Sequence, residues 1–434
     1  MISTWKRRRA ARRAAKELTH TEHENAAEIE LAIPKDFRCP ISLELMKDPV
    51  TVSTGITYDR ENIDNWIERG NFTCPITNQK LNNLDPIPNH TIRKMIQNWC
   101  VQNTSYGIER IPTPRIPVNS VQVLEIQSKI TASVQANDQI GCRNLITKMK
   151  ALMKESERNK KCFVGNGTAG VLSEAFDRLS RSSFKSPVVE EILSTLTLMI
   201  PLDREARSYL GSSSSMDCLV RLLKDGDLSG RRNAVLVLKE IVCSDEKKLE
   251  SLSRTEGASE AVFKLIKDPI CPSATKASLV IIYEMVNEIQ ASNVRKFVEM
   301  GIVSVLTEIL LDSEKNICEK ALGVLDGICR WDEGRCKACE NSLTIPVVVK
   351  KMHRVSELAT EFAVSVLWKV CNNERNVVEA VEVGAFQKLL LQLQVGCGGT
   401  SKEKATELLK LFNPYRERLE CFHSSDFKHL KTPF

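Results

Sequence analysis

A repeat of about 42 residues constrains the fold of this chain more than any other feature of its 434 residues. Glycines expected in turns recur at spacings of 44, 46, 44 and 83 residues, at Gly167, Gly211, Gly257, Gly301 and Gly384. The last spacing spans two units, with Ser342 in the glycine place between them. An apolar stretch follows each turn, and a second one carries an alanine in register, at Ala234, Ala277, Ala321, Ala363 and Ala405. The pattern predicts helical units that stack into an α-solenoid, since one unit cannot bury its apolar face alone.

Repeats of this length with two or three helices each are typical of armadillo and HEAT arrays. Weaker units around Leu145-Ile146 and Ile192-Leu193 precede the clear ones, so we expect about six units with an atypical first and last. The alternative is an unrelated all-helical bundle. Such a bundle does not explain a register that holds over five units.

Residues 32–106 differ in character and predict a small α+β unit. Apolar and polar residues alternate over residues 50–58 around Thr54-Gly55, which predicts a β-hairpin. Asp59 then offers an N-cap for a helix that Gly70 ends, and Asn89 or Thr91 caps a second helix. Apolar residues at helical spacing support both helices: Ile63, Trp66 and Ile67 in the first, and Ile92, Met95, Ile96 and Trp99 in the second.

Two short runs, CPIS at residues 39–42 and CPIT at residues 74–77, resemble Cys-x-x-Cys metal clips whose second sulfur is a hydroxyl. Zinc needs four nitrogen or sulfur donors. Only Cys39, Cys74, Cys100 and His90 are available in this region, so we expect no metal here. Hydrogen bonds and ion pairs are the predicted replacement, drawn from Ser42, Glu44, Asp48, Thr57, Asp59, Arg60 and Thr77.

Fifteen cysteines are scattered along the chain, mostly beside aliphatic residues. Without a secretory signal they are expected to be reduced and buried. Cys336-x-x-Cys339 is the one true pair, with Cys329 nearby, and it lacks a fourth ligand at zinc spacing. The sequence also contains no Ser-His-Asp set, phosphate loop or Asp-rich site, so no cofactor is predicted.

The residues of three stretches carry a family resemblance: IPKDFRCPISLELMKDPVTVSTGITYDRENIDNWI, then CPITNQKL, then PIPNHTIRKMIQNWC. Together they resemble a plant U-box domain. A U-box followed by armadillo repeats is similar to plant ubiquitin ligases of that architecture. The opening Trp5-Lys6-Arg7-Arg8-Arg9 and the single array resemble the elicitor-responsive, CMPG-type subgroup. The implied fold is mainly α, with a zinc-free RING-like U-box followed by an armadillo solenoid.

The predicted organisation has five parts: a basic, flexible arm at 1–31, the U-box at 32–106, a Pro-rich linker at 107–120, the armadillo solenoid at 121–412 and a tail at 413–434. The first sixteen residues carry seven positive charges, and the remainder is close to neutral. A nucleic-acid-binding surface is therefore not implied by charge. The arm is interpreted as a solvated tail, with a weak import-receptor or membrane contact left open. We expect a cytoplasmic protein, with the nucleus left open.

By resemblance the protein is a RING-type E3 ubiquitin ligase. It would bind a ubiquitin-conjugating enzyme (E2) charged with ubiquitin and promote transfer to a substrate lysine. The resemblance implies E2 contacts from Ile41, Leu43, Trp66 and Pro75. Leu43 and Trp66 could instead belong to the core.

Asn78 stands where many U-boxes place an arginine that bridges E2 and ubiquitin, which leaves the strength of ubiquitin activation open. A covalent E3 intermediate on Cys39 or Cys74 is not expected, because no histidine lies near either thiol. The main alternative to a ligase is a non-enzymatic armadillo adaptor with a degenerate U-box.

The solenoid is expected to hold a protein substrate on its concave face. Asn372 and Asn373 resemble the asparagines of peptide-binding armadillo grooves, with loop or cap roles as the alternative. An importin-like receptor would need such residues in successive units, and only Trp368 with Asn372 approaches that pattern. A role in defence or stress signalling follows from the subgroup resemblance alone, and a homodimer is left open.

Overall fold

The computed structural model describes residues 33–106, 108–109, 117–181, 186–288, 291–395 and 398–415. The predicted basic arm, most of the linker and most of the tail lie outside these residues. The chain divides into two compact units, Met1–Ile116 and Pro117–Phe434. Within the described ranges, no helix is both long and apolar enough to cross a membrane.

Over residues 33–106, the first unit contains a three-stranded antiparallel sheet and two helices. Its strands are β1 (Pro49–Thr51), β2 (Thr57–Asp59) and β3 (Ile87–Pro88), in the order β2-β1-β3. Its helices are α1 (Arg60–Glu68) and α2 (His90–Gln102), with short 3-10 turns at Lys35–Phe37 and Thr104–Tyr106. The predicted hairpin is confirmed, since Val50 pairs with Tyr58 and Gly55 turns the chain at φ 82°.

The core of the first unit forms between the sheet, the two helices and the loops that precede them. Ile63, Ile96 and Cys100 are buried there. Asn89 rather than Thr91 caps α2, accepting a hydrogen bond from the Ile92 N–H at 3.0 Å. The predicted helix is confirmed. Met95, one of the apolar residues that support it, is half-exposed, because only part of this helix surface packs against the sheet and loops.

The second unit is a solenoid of stacked helices. In chain order they are α3 (Ser120–Gln135), α4 (Gln139–Glu155), α5 (Glu157–Gly165), α6 (Thr168–Ser180), α7 (Pro187–Leu196), α8 (Arg204–Leu210), α9 (Ser213–Asp225), α10 (Leu228–Val242), α11 (Glu246–Arg254), α12 (Ala258–Lys267), α13 (Pro272–Glu288), α14 (Ala291–Glu299), α15 (Ile302–Asp312), α16 (Lys315–Ile328), α17 (Asp332–Glu340), α18 (Thr344–Lys351), α19 (Glu357–Val370), α20 (Glu374–Glu382), α21 (Ala385–Val395) and α22 (Gly399–Phe412). A further 3-10 turn, Thr197–Met199, follows α7, and Asn413–Tyr415 ends the described chain.

These helices repeat in threes. Each unit starts with a first helix of seven to nine residues (α5, α8, α11, α14, α17 and α20), and its third helix is longer than its first. The third helices α4, α7, α10, α13, α16, α19 and α22 each pack against the next and form one continuous layer. Within the described ranges, six three-helix units follow an initial helix pair, α3 and α4. The predicted solenoid is therefore confirmed, with about six units and an atypical first one.

The register predicted from glycine and alanine holds with one difference. All five register alanines are buried in the third helices. Gly167, Gly257, Gly301 and Gly384 precede second helices with φ between 69° and 86°, a left-handed region that favours glycine. Gly211 instead has φ −85° and ends α8, and the side chain of Ser212 caps the next helix.

Candidate functional site

Loop 1, which we define as Cys39–Glu44, contains the CPIS run and closes on itself through backbone hydrogen bonds. The Cys39 N–H donates to the Glu44 carbonyl at 2.8 Å, and the Leu43 N–H donates to the Cys39 carbonyl at 2.8 Å. The Ser42 hydroxyl accepts from the Glu44 N–H at 3.4 Å. Leu43 has φ 62°, a left-handed conformation that costs a non-glycine residue about 1–3 kcal/mol.

Loop 2, Cys74–Gln79, contains the CPIT run and repeats the same turn. The Cys74 N–H donates to the Gln79 carbonyl at 2.8 Å, and the Asn78 N–H donates to the Cys74 carbonyl at 2.8 Å. The Thr77 hydroxyl accepts from the Gln79 N–H at 3.4 Å, and Asn78 has φ 57°. The two short runs therefore fold into one shape, and Ser42 and Thr77 support it as predicted.

The cysteine sulfurs of both loops are buried and hydrogen-bonded. Cys39 Sγ accepts from the Asp59 N–H at 3.3 Å and from Asn62 Nδ2 at 3.4 Å. Cys74 Sγ lies 3.0 Å from the Tyr58 hydroxyl. Burial acts to raise the pKa of the Cys74 thiol, but the surrounding hydroxyls of threonine and tyrosine lower it to about 6. Among the described residues, no group of three or more His, Cys, Asp or Glu side chains is placed to hold a metal ion.

An ion-pair cluster centred on Asp48 joins the loop region to both helices. Asp48 Oδ2 accepts from Arg60 Nε at 2.7 Å, and Asp48 Oδ1 accepts from Arg93 Nη2. Both guanidinium groups are mostly buried. Arg93 was absent from the predicted network. It lies 45 residues from Asp48, so no local spacing pattern indicates the pair.

Asp59 occupies the N-cap position of α1, but its side chain does not cap the helix. Its Oδ1 instead accepts from the Lys47 N–H at 2.9 Å and the Asp48 N–H at 2.7 Å. The carboxylate therefore holds the chain that leads into β1. The predicted network role for Asp59 agrees with this arrangement, whereas the side-chain cap is wrong.

The remaining predicted network residues differ in how they contribute. Thr57 Oγ1 lies 3.0 Å from Thr51 Oγ1 and accepts from Asn89 Nδ2 at 3.3 Å, which joins β2 to β1 and to the start of α2. Glu44 is exposed and takes part through its backbone groups in loop 1, so its predicted side-chain role is not seen.

One face of α1 contacts both loop regions. Asn62 Nδ2 donates to Ser42 Oγ of loop 1 at 3.1 Å. One turn later, Trp66 Nε1 donates at 2.8 Å to the carbonyl of Thr73, the residue before loop 2. Residues at i and i+4 lie on the same helix face, so α1 connects the two loops. Sequence analysis did not single out Asn62, because its amide pairs with residues that lie far away along the chain.

The two loops present apolar side chains to solvent. Ile41, Leu43 and Ile76 are 36%, 69% and 55% exposed, so the alternative placement of Leu43 in the core is wrong. Trp66 is half-buried against the core of this unit, and Pro75 is half-buried. Ile76 was not among the predicted contacts, although it occupies the place of Ile41 in the second run. Asn78 is exposed at the end of loop 2.

The asparagines singled out in the solenoid lie at the end of α19. Asn373 caps α20 by accepting from the Asn376 N–H at 2.9 Å, which confirms the cap alternative for this residue. Asn372 is exposed. The nearby Trp368 is 44% exposed on the third-helix layer, and its indole N–H donates to Glu407 Oε2 at 2.5 Å.

Comparison with protein families decides the identity of both units. The family model described as "U-box domain" matches residues 33–105, and the one described as "Plant U-box protein ARM repeat region" matches residues 122–432. The chain belongs to the plant U-box proteins with armadillo repeats. The family predicted from the sequence is confirmed, as is the fold class of a small α+β U-box followed by an armadillo solenoid.

Relatives match the U-box protein over almost its whole length. U-box domain-containing protein 21 of Arabidopsis thaliana is 47% identical over 416 residues, which cover 95% of each chain. E3 ubiquitin-protein ligase PUB23 of the same plant is 36% identical over 394 residues, covering 88% of this chain and 93% of that protein. The protein is an E3 ubiquitin transferase of the U-box class, as predicted.

A solved structure of an engineered protein resembles the U-box protein in fold alone. It aligns with a TM-score of 0.51 at 16% identity, covering 68% of this chain and 71% of that chain. At this identity the likeness carries no information on ligands.

Proposed function

We propose that the U-box of this E3 recruits a ubiquitin-charged E2 through loop 1, loop 2 and the face of α1 between them. The observation that carries the proposal is the repeated turn, which holds Ile41 and Ile76 exposed at matching places, with Leu43 exposed two residues after Ile41. Apolar side chains grouped on a surface favour an interaction site. Because α1 is bonded to both loop regions, this surface is preorganised before a partner binds.

Trp66 and Pro75 support the same surface in different ways. The Trp66 indole N–H donates to the Thr73 carbonyl. The ring therefore packs on the core and also fixes the start of loop 2. A half-buried tryptophan with a fixed ring is a typical anchor of an interface. Pro75 stiffens loop 2 directly after the buried Cys74.

The proposed mechanism is positioning without a covalent E3 intermediate. The reactive thioester belongs to the E2, and holding its ubiquitin in a reactive orientation lowers the barrier for attack by a substrate lysine. The buried, hydrogen-bonded sulfurs of Cys39 and Cys74 support this reading. Neither sulfur can take ubiquitin from an E2 unless its loop opens.

Asn78 is proposed as the residue that faces both E2 and ubiquitin from loop 2. Its amide donates hydrogen bonds but carries no charge. An arginine there would add charge-assisted bonds. We therefore propose that Asn78→Arg raises the rate of ubiquitin discharge from the E2 and leaves E2 affinity almost unchanged.

We propose that the third-helix layer of the solenoid selects the protein substrate, with Trp368 as one contact. Its exposed ring is held in place by Glu407, and the Lys404 ammonium lies 5.7 Å from the ring centroid. The resemblance to the CMPG-type subgroup supports a further proposal, a role in plant defence or stress signalling in the cytoplasm or nucleus. Proximity labelling in the native tissue with Ile41→Ala, which would retain bound substrates, would test both.

The experiment for the E2 surface is an autoubiquitination reaction with E1 and a promiscuous E2. We expect the native protein to build ubiquitin chains and Ile41→Ala to lose roughly tenfold or more of that rate, the typical effect at an interface hot spot. Absence of chains with the native protein would contradict the E2-recruiting function.

A matched control separates the surface from general loss of an apolar side chain. Val101 is 53% exposed on α2 of the same unit, a helix that is not part of the proposed surface. Val101→Ala should keep the native rate. Ile41→Ala with full activity would refute the proposed surface while leaving ligase activity intact.

A further inference from the structure

Helix α21, the second helix of the last solenoid unit, carries an apolar stripe on its surface. Leu390, Leu391 and Val395 are 41%, 43% and 74% exposed. Leu391 and Val395 are four residues apart and lie on one helix face. We call Leu390, Leu391 and Val395 the terminal stripe.

The first member of the stripe occupies a position that inner units bury. In three inner units, a glycine in the left-handed conformation precedes the second helix. The sixth residue after this glycine is Ser173, Phe263 or Thr307. These side chains are 0%, 6% and 1% exposed. Leu390 is the sixth residue after Gly384, and it is exposed because no further described unit covers it.

The other two members replace charged residues. The seventh and eleventh residues after the same glycines are charged in all three inner units: Glu174 and Arg178, Lys264 and Asp268, Glu308 and Asp312. In the last unit these two positions are Leu391 and Val395. A position that is charged in these three inner units but apolar and exposed after Gly384 indicates a surface that is covered.

The rest of the chain starts in the same solenoid unit as this stripe. The turn Asn413–Tyr415 packs against α20 and α22, both of the last unit, and α22 packs against α21. Residues 416–434 follow. Nineteen residues can reach roughly 60 Å when extended, whereas an eleven-residue helix such as α21 is roughly 16 Å long. The segment is rich in large apolar residues: Leu419, Phe422, Phe427, Leu430 and Phe434.

We propose that residues 416–434 cover the terminal stripe and thereby close the C-terminal end of the solenoid. The plant armadillo-region match that extends to residue 432 supports this. Terminal units of a solenoid need a cap, since an open apolar end associates with other molecules. The tether favours the chain's own segment over a second copy, because attachment gives a local concentration near the millimolar range.

Hydrogen exchange of the full chain tests the proposal. We expect amides within 416–434 to exchange about tenfold or more slowly than unprotected amides. The double variant Leu391→Glu/Val395→Asp restores the charges found at these positions after Gly301, so α21 should stay folded. It should remove most of that protection. Leu228→Glu, a change at an exposed leucine of α10, is the control and should not alter it.

A reciprocal variant tests the stripe itself. Phe422→Ser/Phe427→Ser should increase the binding of an apolar dye several-fold while exchange within α19 stays native. Unprotected amides in 416–434 of the native chain would overturn the proposal, as would protection that the stripe variant does not change. If the protection disappears when the protein is diluted about hundredfold, a second copy of the chain covers the stripe. This result would also overturn the proposal.

Discussion

Removing the Asp48 carboxylate should destabilise the U-box selectively. This carboxylate is bonded to Arg60 at the start of α1 and to Arg93 on α2. In the part of the chain that the structure describes, Arg60 Nη1 and Arg93 Nε are buried without a hydrogen-bond partner. Asp48→Ala therefore leaves two mostly buried cations without the carboxylate that they share.

The expected cost follows from the burial of the pair. Breaking a fully buried ion pair costs about 3–5 kcal/mol. The Asp48 side chain is 23% exposed, so water can reach the site and about 2 kcal/mol is a better expectation. A unit of this size rarely has more than about 3–5 kcal/mol of stability. For such a domain, 2 kcal/mol corresponds to a melting temperature lower by about 8–16 °C.

The assay is thermal unfolding, monitored through the hydrogen exchange of amides in two regions of the chain. Amides of residues 49–59 report the U-box, and those of residues 359–370 report the solenoid. Asp48→Ala should lower the melting temperature that the U-box amides report and leave that of the solenoid amides unchanged. Ligase activity should be lost at the lower temperature. Asp85→Ala, a change at an exposed acid of the same unit, should melt like the native protein. If the U-box of Asp48→Ala melts at the same temperature as that of Asp85→Ala, loss of the carboxylate does not destabilise this unit and the prediction is wrong.

Three further outcomes test other parts of the structure. Treatment with a zinc chelator followed by its removal should leave ligase activity unchanged, because sulfur hydrogen bonds hold both loops; loss that zinc alone restores would contradict this. Trp66→Phe should lower stability by about 1 kcal/mol through loss of the bond to Thr73, and Val101→Phe should not. Burial acts to raise the pKa of Asp177, but three serine hydroxyls and Arg181 hold it below its usual range. The stabilisation is present at neutral pH and lost as pH falls below about 4, so Asp177→Asn should weaken the solenoid in denaturant unfolding at pH 7 more than at pH 3.

Several features of the site follow from local pattern, and others do not. The repeated CPIS and CPIT runs indicate two matching loops, and the same repetition could have indicated Ile76 beside Ile41. Asn62 and Arg93 carry no such signal. Each pairs with a residue 20 or more positions away, and only packing brings those residues together.

Local sequence determined the α-solenoid and the U-box hairpin, because apolar spacing and turn glycines depend on residues within one helical turn or one hairpin. It also determined the family, since the U-box motifs are specific. The tertiary structure decided which loop residues face solvent, that Asp59 bonds the chain before β1 rather than capping α1, and that the stripe on α21 is exposed. Those properties depend on which distant segments pack together, and burial in a solenoid depends on the neighbouring unit. Residues at the same position of the repeat can therefore be buried in one unit and exposed in the last.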